Sequence, residues 1–225
     1  MKKWLIPVLF GIAIVALIIL AVRAAGSESN DAKPQDSASP AAEMTDAQKT
    51  GLKEGQIFGQ TNNPKVVLTE FADLQCPACK LYEPTLKTIR EKYSDQVQVV
   101  FKHFPLAPTP HKNALVAAYA SEAAANQGKF WEMHDKLYET QDEWGEQANP
   151  KDKFVSYASA IGLNVDQFKK DYDGEAGKAG IERDKALGTS ISLKGTPSFF
   201  INGVAFDTTG GGEELLKQID ALVQQ

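Results

Sequence analysis

The longest apolar pattern in the chain is an uncharged run from Trp4 to Val22. A helix of about 20 such residues, rising about 1.5 Å per residue, crosses the hydrocarbon core of a bilayer. Lys2 and Lys3 precede the run and Arg23 follows it. The leading lysines favour a cytoplasmic N-terminus. Residues 1–23 are therefore read as a transmembrane signal-anchor. A cleaved signal peptide is the alternative, since Val22-Arg23-Ala24 offers small residues at cleavage positions, although the run exceeds the usual apolar stretch of about 7–15 residues. Both readings export the remainder, and no lipobox cysteine is present. From Ala24 to about Thr50 the pattern dissolves into Ala, Ser, Asp, Pro and Gln. Such a stretch buries too little to fold alone, so 24–50 is expected to be a flexible tether. A short helix within Thr45–Phe58 is expected to lead into a domain over 51–225.

Within that domain, Val66 to Phe71 is apolar and β-branched and reads as a buried strand. Pro77 suits the first residue of a helix, where its missing N–H costs nothing. That helix is expected to reach Tyr93, with Leu81, Tyr82, Thr85, Leu86 and Ile89 on a buried face and a kink at Pro84. Val97–Phe101 is the next strand. From His111 to about Leu187 the pattern is helical, with helices opening at Ala114 and covering Phe130–Thr140, Asp152–Ile161 and Val165–Tyr172. Ser198–Ile201 is a strand, Asn202-Gly203 a strong hairpin turn, and Val204–Phe206 the returning strand. Glu213–Gln224 closes the chain as a helix with acidic residues at its start. This order predicts an α/β fold of two halves with a helical insertion at about 106–190.

Composition adds little: 43% hydrophobic and 24% charged residues are ordinary for a globular chain. The formal net charge of -5 argues against a broad nucleic-acid footprint. Cysteine usage matters more. The chain has 2 cysteines, Cys76 and Cys79, too few for a disulfide scaffold. A structural zinc site would need further ligands, and His103, His111 and His134 are the only histidines. The pair is therefore read as a chemical unit at a strand-to-helix junction. There the helix N-terminus favours an anion, lowers the pKa of Cys76 and makes it the nucleophile. Cys79, one turn on, resolves the mixed disulfide. A non-enzymatic metal-binding pair is the alternative. No cofactor and no resident metal are expected. His103 and His111 are read as packed or surface residues, and Phe130, Trp131 and Tyr138 as core. The glycines of Thr208–Gly212 lack the lysine of a phosphate loop and read as a turn.

Phe71-Ala72-Asp73-Leu74-Gln75-Cys76-Pro77-Ala78-Cys79 resembles the active-site segment of the DsbA-like thiol–disulfide oxidoreductases. Lys102–Leu106, Gln127–Trp131 and Gly195–Gly203 resemble later segments of that family, in the same order. The resemblance covers about Phe58 to the C-terminus and implies a thioredoxin-like fold with a helical insertion. It also implies that Thr196-Pro197 is a cis-proline loop facing the cysteines, with Thr196 pairing its backbone with substrate. Glu70 occupies the place of a buried acid that moves a proton for Cys79, and Pro84 that of a kinking proline. The chain departs from strongly oxidising members in the dipeptide Pro77-Ala78, because Ala78 cannot support the thiolate as a histidine there does. Thr196 also occurs in isomerase-like relatives.

The leading expectation is thus an extracytoplasmic oxidase with a redox-active Cys76–Cys79 disulfide. It would act on unfolded or reduced exported proteins and be reoxidised by a quinone-linked membrane partner. A reductase or isomerase fed by an electron-delivering membrane protein is the second reading. The expected location is the bacterial cytoplasmic membrane, single-pass, with the domain outside.

Overall fold

The computed structural model describes residues 43–59 and 63–225. The expected span over Trp4–Val22 and the tether as far as residue 42 lie outside the described residues. Among the described residues, no helix is long and apolar enough to cross a membrane. The folded unit runs from Met44 to Gln225.

It opens with α1 (Asp46–Gly51), started by a reciprocal capping box between Thr45 and Gln48. The expected helix ends there. Gln56–Phe58 is instead a strand, β1, lying antiparallel to β3 (Val97–His103). Gly55 makes this possible. Its φ of 143° suits glycine, and a Cβ there would stand 2.5 Å from the Phe101 carbonyl oxygen. β2 (Val66–Ala72) is the parallel neighbour of β3, and α2 (Pro77–Lys92) forms the crossover between them. α2 passes through Pro84 without a break in the helix.

Between β3 and the next strand lie six helices: α3 (Ala114–Ala125), α4 (Phe130–Glu139), α5 (Gln141–Trp144), α6 (Lys151–Ala160), α7 (Val165–Asp173) and α8 (Lys178–Ser190). β4 (Ser198–Ile201) then returns antiparallel to β2. Asn202 and Gly203, both at positive φ, turn the chain into β5 (Val204–Ala205). A short 3-10 turn at Thr208–Gly210 precedes α9 (Gly211–Val223). The sheet order is β1-β3-β2-β4-β5.

β2 is central and buried on both sides, which is why its sequence is nearly all apolar. Side chains alternate across it. Leu68 joins Leu86, Ile89, Phe199 and Leu215 in the layer that α2 and α9 cover. Phe71 points the other way, against Phe104 and Phe200. By the same alternation Glu70 shares the Leu68 face, beneath α2. The core of the insertion, in which Trp144, Phe154 and Phe168 are fully buried, is continuous with Ala72, Leu74, Cys79 and Phe101 of the first half.

Candidate active site

Cys76 is the N-cap of α2 and Pro77 its first residue. Pro77 and Ala78 face solvent, while Cys76 is 5% exposed and Cys79 is fully buried. Both cysteines are free thiols in this structure. The loop before them is held from several directions. The Cys76 N–H donates to the Asp73 carbonyl at 2.9 Å. Gln141 of α5 donates to the carbonyls of Leu74 at 2.9 Å and Cys76 at 3.2 Å. The Asp73 carboxylate accepts from the N–H groups of Gln75 and Leu106 and pairs with His111 Nδ1 at 2.7 Å. The insertion thus fixes the cysteine loop as well as covering it.

The Thr196–Pro197 peptide bond is cis, and the Cys76 thiol donates to the Thr196 carbonyl at 3.4 Å. The structure therefore brings Thr196 and Pro197 to Cys76. Glu70 is 1% exposed, on the strand under α2, and its Oε1 is a buried atom without a hydrogen-bond partner. Strand glutamates are usually at least partly exposed, and this one is not. His103 and His111 are in side-chain pairs, with Glu122 and Asp73 respectively. Phe130 and Tyr138 are core. The region around Thr208 is a turn that runs into α9.

The two cysteines have opposite electrostatics. The pKa of Cys76 is lowered to about 5. Its hydrogen bond with the Cys79 thiol has the largest effect and burial opposes it. Thr196 and the N–H groups of Cys79 and Ala78 at the helix start add to the lowering. The Thr196 hydroxyl is buried without a hydrogen-bond partner. Burial pushes Cys79 well above the ordinary thiol range, reinforced by Cys76 and by the charge of Glu70. Burial also lifts Glu70 well above the carboxylate range, with Glu83 adding and Arg90 opposing. A neutral carboxyl beside a buried thiol can give or take a proton where water is excluded.

Sequence reasoning missed Glu83, Arg90 and Tyr138. Glu83 stands four residues after Cys79, one helical turn along the same face, and that spacing was the available signal. Tyr138 is fully buried and donates to the Asp73 carbonyl at 3.2 Å. Only the fold brings it from α4 to the cysteine loop.

A dithiol at a helix N-terminus, a cis-proline loop against the first thiol and a central mixed sheet define a thioredoxin-fold redox protein. A family model described as Thioredoxin matches residues 52–221, and the chain belongs to that family. BdbD from Bacillus subtilis, in its oxidised form, superposes with a TM-score of 0.65 at 20% identity, covering 78% of this chain and 95% of that one. The thiol-disulfide exchange protein alpha-DsbA2 from Wolbachia pipientis gives 0.62 at 18% identity, covering 78% and 96%. These likenesses are of fold, and the fold is the DsbA-like one. By sequence, Na(+)/H(+) antiporter NhaA 3 of Salinispora tropica is 39% identical over 138 residues, 61% of this chain and 20% of that protein. The chain therefore spans a fifth of that relative's length.

Proposed function

We propose that the protein is an extracytoplasmic thiol–disulfide oxidoreductase acting as an oxidase through Cys76 and Cys79. The observation that carries this is the asymmetry of the pair: Cys76 is held as an anion at neutral pH and Cys79 as a thiol. A stabilised Cys76 thiolate stabilises the reduced form, which makes the disulfide a stronger oxidant. A substrate thiolate attacks Cys76 Sγ of the Cys76–Cys79 disulfide. The S–S bond breaks, its electron pair goes to Cys79, and Glu70 gives Cys79 a proton. The substrate's second thiolate then attacks its own sulfur in the mixed disulfide, and Cys76 leaves as a thiolate. The substrate loses two electrons and the enzyme dithiol gains them. In the opposite direction Cys76 is the nucleophile and Cys79, deprotonated by Glu70, resolves the mixed disulfide. Thr196 offers its backbone beside Cys76 for an extended substrate, recognition that tolerates many sequences.

The proposed substrates are unfolded or reduced exported proteins. The N-terminal apolar run supports a membrane anchor beside a membrane redox partner, and the tether supports reach. The transport named for the antiporter relative is not carried over, because the match reaches a fifth of that protein. A reductase is the second reading, favoured by Ala78 standing where strongly oxidising relatives carry histidine. Equilibrating the full chain against glutathione buffers, with thiol trapping, separates the two. A potential towards that of DsbA, about −120 mV, is expected; one near thioredoxin, about −270 mV, would move the assignment to reductase.

A further inference from the structure

Glu70 Oε1, Glu83 Oε1 and His134 Nε2 are buried atoms without a hydrogen-bond partner. The last two lie 3.6 Å apart. Glu83 comes from α2, and His134 and Asp135 from α4. His134 is fully buried, with the rings of Phe101, Trp131 and Tyr138 each about 5.0 Å away. Its Nδ1 lies 2.9 Å from Asp135 Oδ1, and the same oxygen takes the Arg90 guanidinium at 2.6 Å. Burial works against the Asp135 charge, but the His134 hydrogen bond and Arg90 hold this carboxyl below the ordinary range. An ionised carboxylate only accepts, so Nδ1 is the donor of the ring, and a neutral ring leaves Nε2 as an acceptor. An acceptor facing an ionised Glu83 would leave both atoms unpaired. One proton between Nε2 and Glu83 Oε1 satisfies both, whichever atom carries it. Glu83 and His134 are therefore a pair that holds one proton.

Glu70 needs a neighbour of this kind. It is 1% exposed, on β2 under α2, so a proton it passes to Cys79 has to be replaced from within the protein. Glu83 stands one helical turn beyond Cys79 on α2. Its charge raises Glu70, second only to burial. The Glu83 side chain is 13% exposed and lines a cavity of about 480 Å³ that opens to solvent. Lys80, Lys87, Arg90, Asp135, Tyr138 and Glu139 line the rest of it. Lys80 and Lys87 are already engaged by Asp142 and Glu91. Burial and Asp135 favour the acid form of Glu83, while His134 and Arg90, 3.7 Å from Oε2, favour its carboxylate. Such opposed influences suit a group that takes and gives a proton. Glu83 thus has Glu70 on its inner side and solvent on its outer side.

We propose that Glu83 is the station through which Glu70 exchanges its proton with solvent, and that His134 is the positioning residue that keeps a proton at that station. The proposal rests on the oxidoreductase reading above. When Cys79 leaves as a thiolate, Glu70 gives it a proton. The Glu83–His134 pair passes its proton to the Glu70 carboxylate, directly or through one water. The pair then takes a proton from the cavity. In the opposite direction each transfer reverses, and the solvent receives the proton.

The test mixes the reduced full chain, in detergent, with oxidised glutathione. Mixed-disulfide formation at Cys76 and its resolution by Cys79 are followed by acid quench and mass spectrometry through neutral pH. Glu83→Gln keeps the shape of the side chain and removes its acid proton. Alkylation of Cys76 is expected to be unchanged in this variant, since Glu83 is not among the groups that act on that thiol. Resolution is expected to slow by about tenfold, short of the about 10²-fold expected for Glu70→Gln, and to become faster with buffer concentration as it does not in wild type. Adding Glu83→Gln to Glu70→Gln should slow resolution no further, because both residues stand on one path. His134→Gln should match Glu83→Gln, with urea unfolding as the check that this buried substitution folds; the glutamate variants decide the matter without it. A wild-type rate and pH profile in Glu83→Gln, or effects that multiply in the double variant, would overturn the proposal. An unchanged rate in Glu70→Gln would remove the proton role of Glu70 and this one with it, and absence of any mixed disulfide at Cys76 would instead overturn the oxidoreductase reading itself.

Discussion

Two buried charged groups in this fold are built on opposite plans. In one, Lys102 Nζ meets Asp184 Oδ1 at 2.7 Å and the His103 N–H donates to Asp184 Oδ2 at 3.0 Å. Beside it, Glu122 Oε1 pairs with His103 Nε2 at 2.9 Å, and Gln56 donates to both Glu122 oxygens. Every carboxylate oxygen there has a partner. Burial alone would raise Glu122, but the hydrogen bonds and charge from His103 and Gln56 leave it below the ordinary range. In the other group, Glu70 Oε1, Glu83 Oε1 and His134 Nε2 are buried and unsatisfied. Burial raises both glutamates. Buried polar atoms normally find partners, so unsatisfied ones call for an explanation. The satisfied group cements the insertion to β3. The unsatisfied group lies around α2, where burial raises Glu70 beside the cysteines and suits it to exchange a proton with Cys79.

The comparison is broken most sharply by Asp184→Ala. It leaves the Lys102 ammonium buried without its carboxylate. Removing one partner of a buried pair costs about 3–5 kcal/mol. Urea unfolding is expected to show that loss, while the alkylation rate of Cys76 in the folded protein stays the same. A neutral effect on stability would mean that the satisfied group is not cementing the fold.

Glu70→Gln should do the reverse. Stability is expected to change little, because the substitution keeps the shape and adds no charge. Thiol–disulfide exchange should slow by about 10²-fold, the low end of what positioned proton transfer contributes. The measurement is the exchange rate as a function of pH through neutrality. An unchanged profile would remove Glu70 from the reaction.

How far these regions could be read from sequence follows their contact range. The dithiol and Pro77 are local features that spacing reaches; Glu70 sits on the adjoining strand, but its role came from the family resemblance. Thr196-Pro197 is distant in sequence, and only the family resemblance pointed to it. β1 was missed because three residues carry almost no period, and its pairing depends on Gly55 lying against Phe101. The His134–Glu83 and Tyr138–Asp73 contacts join the insertion to the first half of the fold. No pattern within α4 announces them.

A smaller effect concerns pH. The folded pKa of Cys76, about 5, lies below its ordinary value of 9.0. A depressed acid adds stability that is complete above its unfolded pKa and disappears as pH falls through its folded one. The reduced protein should therefore gain stability between about pH 5 and 9, by at most about 1.4 kcal/mol per pH unit. Glu70, raised well above the ordinary carboxylate range, acts in the opposite direction as pH rises. The difference between reduced wild type and Cys76→Ser removes most of that contribution, since burial, the main cause of the raised Glu70, is common to both. Cys79, also raised, acts only at higher pH. A difference that does not change over this window would mean that Cys76 is not held as a thiolate.

The smallest change is expected from Tyr138→Phe. The Tyr138 hydroxyl is buried and donates only one hydrogen bond, to the Asp73 carbonyl at 3.2 Å. That carbonyl also accepts from the Cys76 N–H at 2.9 Å, so the substitution leaves no orphaned acceptor. The cost should therefore sit near the net value of an ordinary hydrogen bond, about 0.5–1 kcal/mol, rather than near the larger penalty of an unpaired buried group. Urea unfolding reads that number, and exchange kinetics on the same variant sharpen the comparison. Tyr138 lies close enough for Cys79 and Glu70 to influence its pKa, which burial holds well above the ordinary phenol range. A hydroxyl that stays protonated is a poor proton carrier, so the exchange rate should hold. A loss as large as that expected for Glu70→Gln would instead put the proton path through α4, and the unsatisfied group would then extend into the insertion.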